Sequence, residues 1–182
     1  MKAAANSAVK SLTFPVAGRD HLQGSIDAPF ALLEYGDYEC PFCGEAYPIV
    51  KAVQERMGDK LCFAFRNFPL TNMHPHAEHA AEAAEAAGSQ KHFCAMHDML
   101  FENQDQLDDE DLAGYASALR LDPVRLMSEV RSGLYLDRVR EDFRSGARGG
   151  VNGTPTFFIN GVRHAGPPTV NSLLSLLEAR RR

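Results

Sequence analysis

Two short, almost unbroken apolar runs stand out along the chain, Phe30–Tyr35 and Leu61–Phe65, each of the length of a buried strand. Between them Ala46, Ile49, Val50 and Val53 recur at helical spacing. Pro41 suits the first turn of that helix and Cys40 its cap position; Pro48 falls inside it and should kink it, and Gly58-Asp59 ends it. A further short strand is expected around Thr13–Val16, after a loose arm over Met1–Ser11. From His74 to about Gly149 the pattern is helical throughout. Ala77, Ala80, Ala84 and Ala87 mark a close-packing face, and Phe93, Met96 and Leu100 continue a core face. Within this block helices are predicted over Asp108–Leu119, from Asp122-Pro123 to about Ser132, and over Leu134–Ala147. After a turn-rich break at 149–155, Thr156–Ile159 reads as a strand, Asn160-Gly161 as a hairpin turn and Val162–His164 as the returning strand. Asn171–Arg180 is the expected closing amphipathic helix.

The order is therefore β-α-β, then helices, then β-β-α. It predicts an α/β fold with a central mixed sheet shared by a parallel βαβ half and an antiparallel hairpin half. Residues 1–70 and 150–182 would form that domain, and 71–149 an inserted all-helical subdomain.

Composition adds mostly exclusions. With 182 residues, 45% of them hydrophobic and 24% charged, the chain can bury a sizeable core without staples. The net charge is −5, from 24 acids against 19 bases, which argues against a nucleic-acid backbone as partner. No apolar run approaches the roughly 18 residues needed to span a membrane. Met1–Lys10 lacks the apolar core of a secretory signal, so the chain as written is expected in the cytoplasm, and in the periplasm if it is a processed form.

The chemistry concentrates at Cys40 and Cys43, separated by Pro41-Phe42 at a helix start. Unpaired amides and the positive end of the helix dipole there favour a thiolate at Cys40, which is the nucleophile of disulfide exchange. Cys43, one turn on and less exposed, can resolve a mixed disulfide formed on Cys40. A zinc site would need a second such pair or paired histidines in support. His74, His76, His79, His92 and His97 are read as a helix opening and solvated or packed side chains, with no metal expected. The remaining cysteines, Cys62 in a strand and Cys94 on a mostly polar helix face, are given no role. Arg138, Arg140, Arg144 and Arg148, interleaved with Asp137, Glu141 and Asp142, read as a solvated helix face.

The segments Glu34–Cys43 and Gly150–Gly161, the latter reading Gly-Val-Asn-Gly-Thr-Pro-Thr-Phe-Phe-Ile-Asn-Gly, together resemble the thioredoxin superfamily. More narrowly they resemble DsbA-like thiol–disulfide oxidoreductases with a helical insertion, over about Gly18–Leu177. The resemblance implies a thioredoxin-like fold and exchange of disulfides with protein or peptide thiols. The redox-active Cys40–Cys43 disulfide would stand in place of any other cofactor. It makes Cys40 the attacking, solvent-facing cysteine and Cys43 its buried partner. It places Thr154-Pro155 in a cis-proline loop that, with Phe42, meets the substrate, and makes Glu34 a buried acid aiding proton transfer to Cys43. Phe42 departs from the relatives that carry an imidazole between the cysteines, and Asp37 and Glu39 bring like charge near Cys40. A thiolate less stabilised than in those relatives is expected. Two other functions fit the same residues: a redox-sensing binding domain without turnover, and a glutathione-dependent isomerase or transferase of similar fold. Cys43 argues against the latter, since such enzymes usually lack the second cysteine.

Overall fold

A computed structural model describes Leu12 and residues 15–179. Five strands form one mixed sheet in the order β1-β3-β2-β4-β5. These are β1 His21–Gln23, β2 Phe30–Gly36, β3 Leu61–Asn67, β4 Thr156–Ile159 and β5 Val162–Arg163. Helix α1, Pro41–Met57, links the parallel pair β2 and β3, with Leu33 opposite Ala64. Five helices, α2 Ala77–Ser89, α3 Phe93–Glu102, α4 Asp109–Ala118, α5 Pro123–Arg131 and α6 Leu136–Arg148, lie between β3 and β4. β4 then runs antiparallel to β2, β5 returns from it, and α7, Val170–Ala179, ends the described chain.

The elements follow from local chemistry. Side chains alternate across a strand, so the runs read as apolar throughout are buried on both faces. Leu32, Phe63, Phe65, Phe157 and Ile159 join the larger core with α1, α2, α3 and α7. Leu33, Ala64 and Phe158, one position away, join a smaller core with Tyr35 and Phe68 on the opposite face. Helix α6 closes that second face so tightly that a Cβ at Gly146 would come within 2.9 Å of both Tyr35 and Phe68. Asp108 caps α4 in a full capping box, Asp122 caps α5 ahead of Pro123, and Asn160 and Gly161 adopt the positive φ of the hairpin turn. Helix α1 continues through Pro48.

Two expectations need correction. The first strand is β1 at His21–Gln23, where pairing with Phe63–Phe65 overrides a polar sequence; Pro15 and Val16 are not in a strand, and Thr13 and Phe14 lie outside the described residues. Arg180, the expected end of the last helix, lies outside them too. The α6 arginines are also not one solvated face. Arg140, Arg144 and Arg148 are exposed, but Arg138 reaches inward to the fully buried Asp142. Asp142 also accepts a hydrogen bond from the Asn67 amide (3.2 Å), and the Asn67 side chain donates to Glu85 (2.9 Å), which pairs with His21 (2.8 Å). Beside this network Arg66, with no exposed surface, grips Asp20 through two nitrogens at 2.8 and 2.9 Å and donates to the Tyr35 hydroxyl at 2.9 Å. Charges this deep persist because each is paired and hydrogen-bonded.

Candidate active site

β2 delivers the chain to the centre of the sheet edge, and the turn Asp37–Glu39 leads directly into α1. Cys40 sits at the helix cap with extended backbone (φ −72°, ψ 119°), and its carbonyl accepts from the Cys43 and Gly44 amides at 3.0 and 3.1 Å. The cysteines are not bonded to each other, and their two sulfurs sit in opposite environments. Cys43 is fully buried and accepts a hydrogen bond from the Asp37 amide at 3.5 Å. Cys40 lies against the Thr154 carbonyl, 3.5 Å from its sulfur, and is only 3% exposed, so the expectation of a solvent-facing sulfur is not met. Of this segment Pro41 and Phe42 face solvent, Phe42 at 65%. The Thr154–Pro155 peptide is cis.

The electrostatics divide the pair. A hydrogen bond from the Cys43 thiol is the largest influence on Cys40; together with the Thr154 side chain and the Cys43 and Phe42 amides it outweighs burial and pushes the thiol down to about 5. The helix-start amides expected from the sequence contribute, but less than the Cys43 thiol. Burial first, then the hydrogen bond given to Cys40 and the nearby Glu34, push Cys43 well above its ordinary value. Glu34, 2% exposed on β2, is pushed up to about 8 by burial and by the charge of Cys40, and its Oε1 is buried with no hydrogen-bond partner. A low-lying thiolate, a thiol held protonated and a buried carboxyl able to exchange a proton near neutrality thus share one pocket.

Three features were not visible in the sequence. Gln104, in the α3–α4 connection, donates from Nε2 to the Tyr38 and Cys40 carbonyls at 2.7 and 3.0 Å. Asp37 does not turn free charge toward Cys40. Its fully buried carboxylate accepts from the Glu39 and Leu70 amides and meets His74 Nδ1, each at 2.8 Å. Glu39 likewise accepts from the His76 amide at 2.7 Å. The only sequence signals for these contacts were a glycine after the second cysteine and the histidines of the 70–76 loop. Cys62 is buried on β3, and Cys94 is half-buried on α3, its thiol raised by burial. Among the described residues no group of three or more His, Cys, Asp or Glu is disposed to hold a metal ion, and no helix is long and apolar enough to cross a membrane.

The sheet order, the cysteine pair at the start of α1 and the cis-proline loop beside it define a thioredoxin-like fold of the DsbA type. The family description Thioredoxin matches residues 17–179, and the chain belongs to that family. The fold is similar to that of BdbD from Bacillus subtilis in its oxidised form, with TM-score 0.84 and 23% identity over 96% of this chain and 98% of that one. It is also similar to a thioredoxin-like oxidoreductase from Silicibacter pomeroyi (TM-score 0.80, 20% identity, 90% and 92% covered). Alpha-DsbA1 from Wolbachia pipientis is a third (TM-score 0.77, 20% identity, 92% and 93% covered). In sequence the chain is 45% identical over 165 residues to a protein named Na(+)/H(+) antiporter NhaA 1 from Mycobacterium sp. strain KMS, covering 90% of this chain and 27% of that protein. A protein named Na(+)/H(+) antiporter NhaA from Herminiimonas arsenicoxydans is 37% identical, with 90% and 26% covered. The chain thus spans about a quarter of the length of these curated relatives.

Proposed function

We propose that the protein is a thiol–disulfide oxidoreductase that exchanges disulfides with protein or peptide thiols through Cys40 and Cys43. The observation that carries this reading is the opposition of the two sulfurs, one pushed down to about 5 and the other held protonated, joined by a hydrogen bond. In the oxidising direction a substrate thiolate attacks Cys40 of the Cys40–Cys43 disulfide. That bond breaks, and Cys43 leaves with the electron pair and takes a proton from the Glu34 carboxyl. A second substrate thiolate then attacks the substrate sulfur of the mixed disulfide. The substrate departs oxidised, and Cys40 departs as the thiolate its surroundings favour. In the reducing direction each step reverses, with Glu34 receiving the Cys43 proton. The pair carries two electrons, so no further cofactor takes part.

Phe42 and the Thr154–Pro155 loop form the substrate-facing surface, and residues 71–149 are a helical insertion in a domain made of 1–70 and 150–182. The stabilised thiolate favours the dithiol and so makes the disulfide oxidising. The absence of an imidazole between the cysteines moderates this, and the potential should fall between about −120 and −270 mV. Equilibration with a glutathione series measures it. Cys40→Ser should abolish exchange while leaving the fold, and activity at the wild-type rate in that variant would refute the assignment.

A second reading draws on the relatives named as Na(+)/H(+) antiporters, of which this chain matches about a quarter. There the same pair would be a redox switch in a larger protein, without turnover. Multiple turnover of a dithiol substrate with an external disulfide separates the two.

A further inference from the structure

We propose that His74, clamped by Asp37, is a positioning residue for the Cys40 thiolate, supplying from the β3–α2 loop the positive charge that Pro41-Phe42 lacks. The inference rests on the reading of Cys40 and Cys43 as a redox pair and adds how its poise is set.

The geometry is a double clamp. The Asp37 main chain is built into the site: its carbonyl accepts from the Cys40 amide at 3.2 Å, and its amide donates to the Cys43 sulfur at 3.5 Å. Its side chain, with no exposed surface, turns the other way and holds the Leu70 amide and His74 Nδ1. Glu39 repeats the arrangement one step on, through the His76 amide. The 70–76 loop is therefore tied at two points to the turn that carries Cys40.

A carboxylate without solvent needs an opposite charge, and His74 is its one ion-pair partner among the described residues. That contact favours the protonated imidazole. Burial opposes this, but Asp37 outweighs it, and Cys40 and Glu39 add to the upward shift of His74. By reciprocity, a cation that gains from the Cys40 thiolate stabilises that thiolate equally.

The other ionisable groups facing Cys40 are Cys43 on α1 and Glu34 on β2, with Asp37 and Glu39 in the turn. None of these brings positive charge; His74 does when protonated. The Cys43 and Thr154 hydrogen bonds are the larger influences on Cys40, and the coupling to His74 shows on the imidazole, which the Cys40 charge helps to raise.

The test is the ultraviolet titration of the reduced Cys40 thiolate in wild type, His74→Gln and His74→Lys. In His74→Gln the midpoint should rise. The equilibrium constant against glutathione should move roughly three- to tenfold toward the disulfide, a potential shift of about 15–30 mV. His74→Lys should recover most of both. An unchanged midpoint in a folded His74→Gln protein overturns the proposal. If that variant does not fold, NMR titration of the His74 ring in wild type and Cys40→Ser replaces it. The ring midpoint should fall when the thiolate is removed, and an unchanged midpoint overturns the proposal. A wild-type pair without any reversible redox transition would instead refute the proposed function, while the thiolate titration still judges His74.

Discussion

Gln104 occupies the volume that any side chain at Gly44 would need: its Oε1 lies 1.8 Å from where a Cβ on residue 44 would stand. The glycine one residue past the second cysteine therefore admits a carboxamide that ties the Tyr38 and Cys40 carbonyls to the α3–α4 connection. Gln104→Ala should cost about 1–2 kcal/mol in chemical denaturation, for two hydrogen bonds lost. Gly44→Ala should be close to neutral in wild type, since about 1 kcal/mol of helix propensity offsets the displaced Gln104. In the Gln104→Ala background the same change should stabilise by about 1 kcal/mol. Additive effects of the two substitutions would show that the residues do not share this space.

Glu34 and Cys40 should tilt the pH dependence of stability in opposite directions. The Glu34 carboxyl is raised from 4.5 to about 8, so between those values the native state holds a proton that the unfolded chain releases. Its contribution is fully present below 4.5 and is lost as pH rises toward 8. Cys40 is lowered from 9.0 to about 5, so its contribution is present above 9 and is lost as pH falls to 5. Reduced wild type should show a nearly flat profile from pH 5 to 8. Cys40→Ser should then lose stability across that window, by less than the roughly 4 kcal/mol of the full Glu34 shift because the Cys40 charge that helps to raise Glu34 is gone, and Glu34→Gln should gain stability across it. Denaturant midpoints at a series of pH values check this, and parallel profiles for all three proteins would contradict it.

Thr154→Val should raise the Cys40 midpoint above about 5, because the Thr154 side chain is among the groups that lower it and its buried hydroxyl, which bonds neither to Cys40 nor to anything else in the resting geometry, is free to turn toward the thiolate. Thiolate absorbance measures the change. The fold should be preserved, since valine closely matches threonine in shape.

Arg66→Met should destabilise by about 3–5 kcal/mol, because it strands Asp20 as an unpaired buried charge. Replacing both, Arg66→Met with Asp20→Asn, should recover a large part of the loss. Urea denaturation of the two variants distinguishes a stranded charge from simple loss of packing, which the second substitution would not repair.

The parts of this molecule that were legible in its sequence depend on neighbours along the chain. Phe30–Tyr35 and Leu61–Phe65 are buried on both faces and announce themselves as solid apolar runs. Asp108, Asp122 and Asn160-Gly161 declare caps and a turn within four residues. The cysteine pair and Thr154-Pro155 are likewise contiguous motifs. What was hidden depends on partners far apart in sequence. Nothing local distinguishes Arg138 and Asp142, which enter a buried network, from Arg140 and Arg144, which stay in solvent. His21–Gln23 is a strand only because β3 is beside it. Asp37 read as stray negative charge until the fold brought Leu70 and His74 to its carboxylate, and Gln104 carried no signal of its own.

The borders of the sheet are three residues long at β1 and two at β5, and at the β5 end the Leu12 amide already occupies the Gly161 carbonyl. So little free edge leaves an incoming chain almost no backbone to zip onto. In the proposed role the protein would meet partly unfolded polypeptides again and again. It would then meet them at its sulfur without offering a template on which they could stack, so an unfolded client would remain a visitor and not become a seed for aggregation.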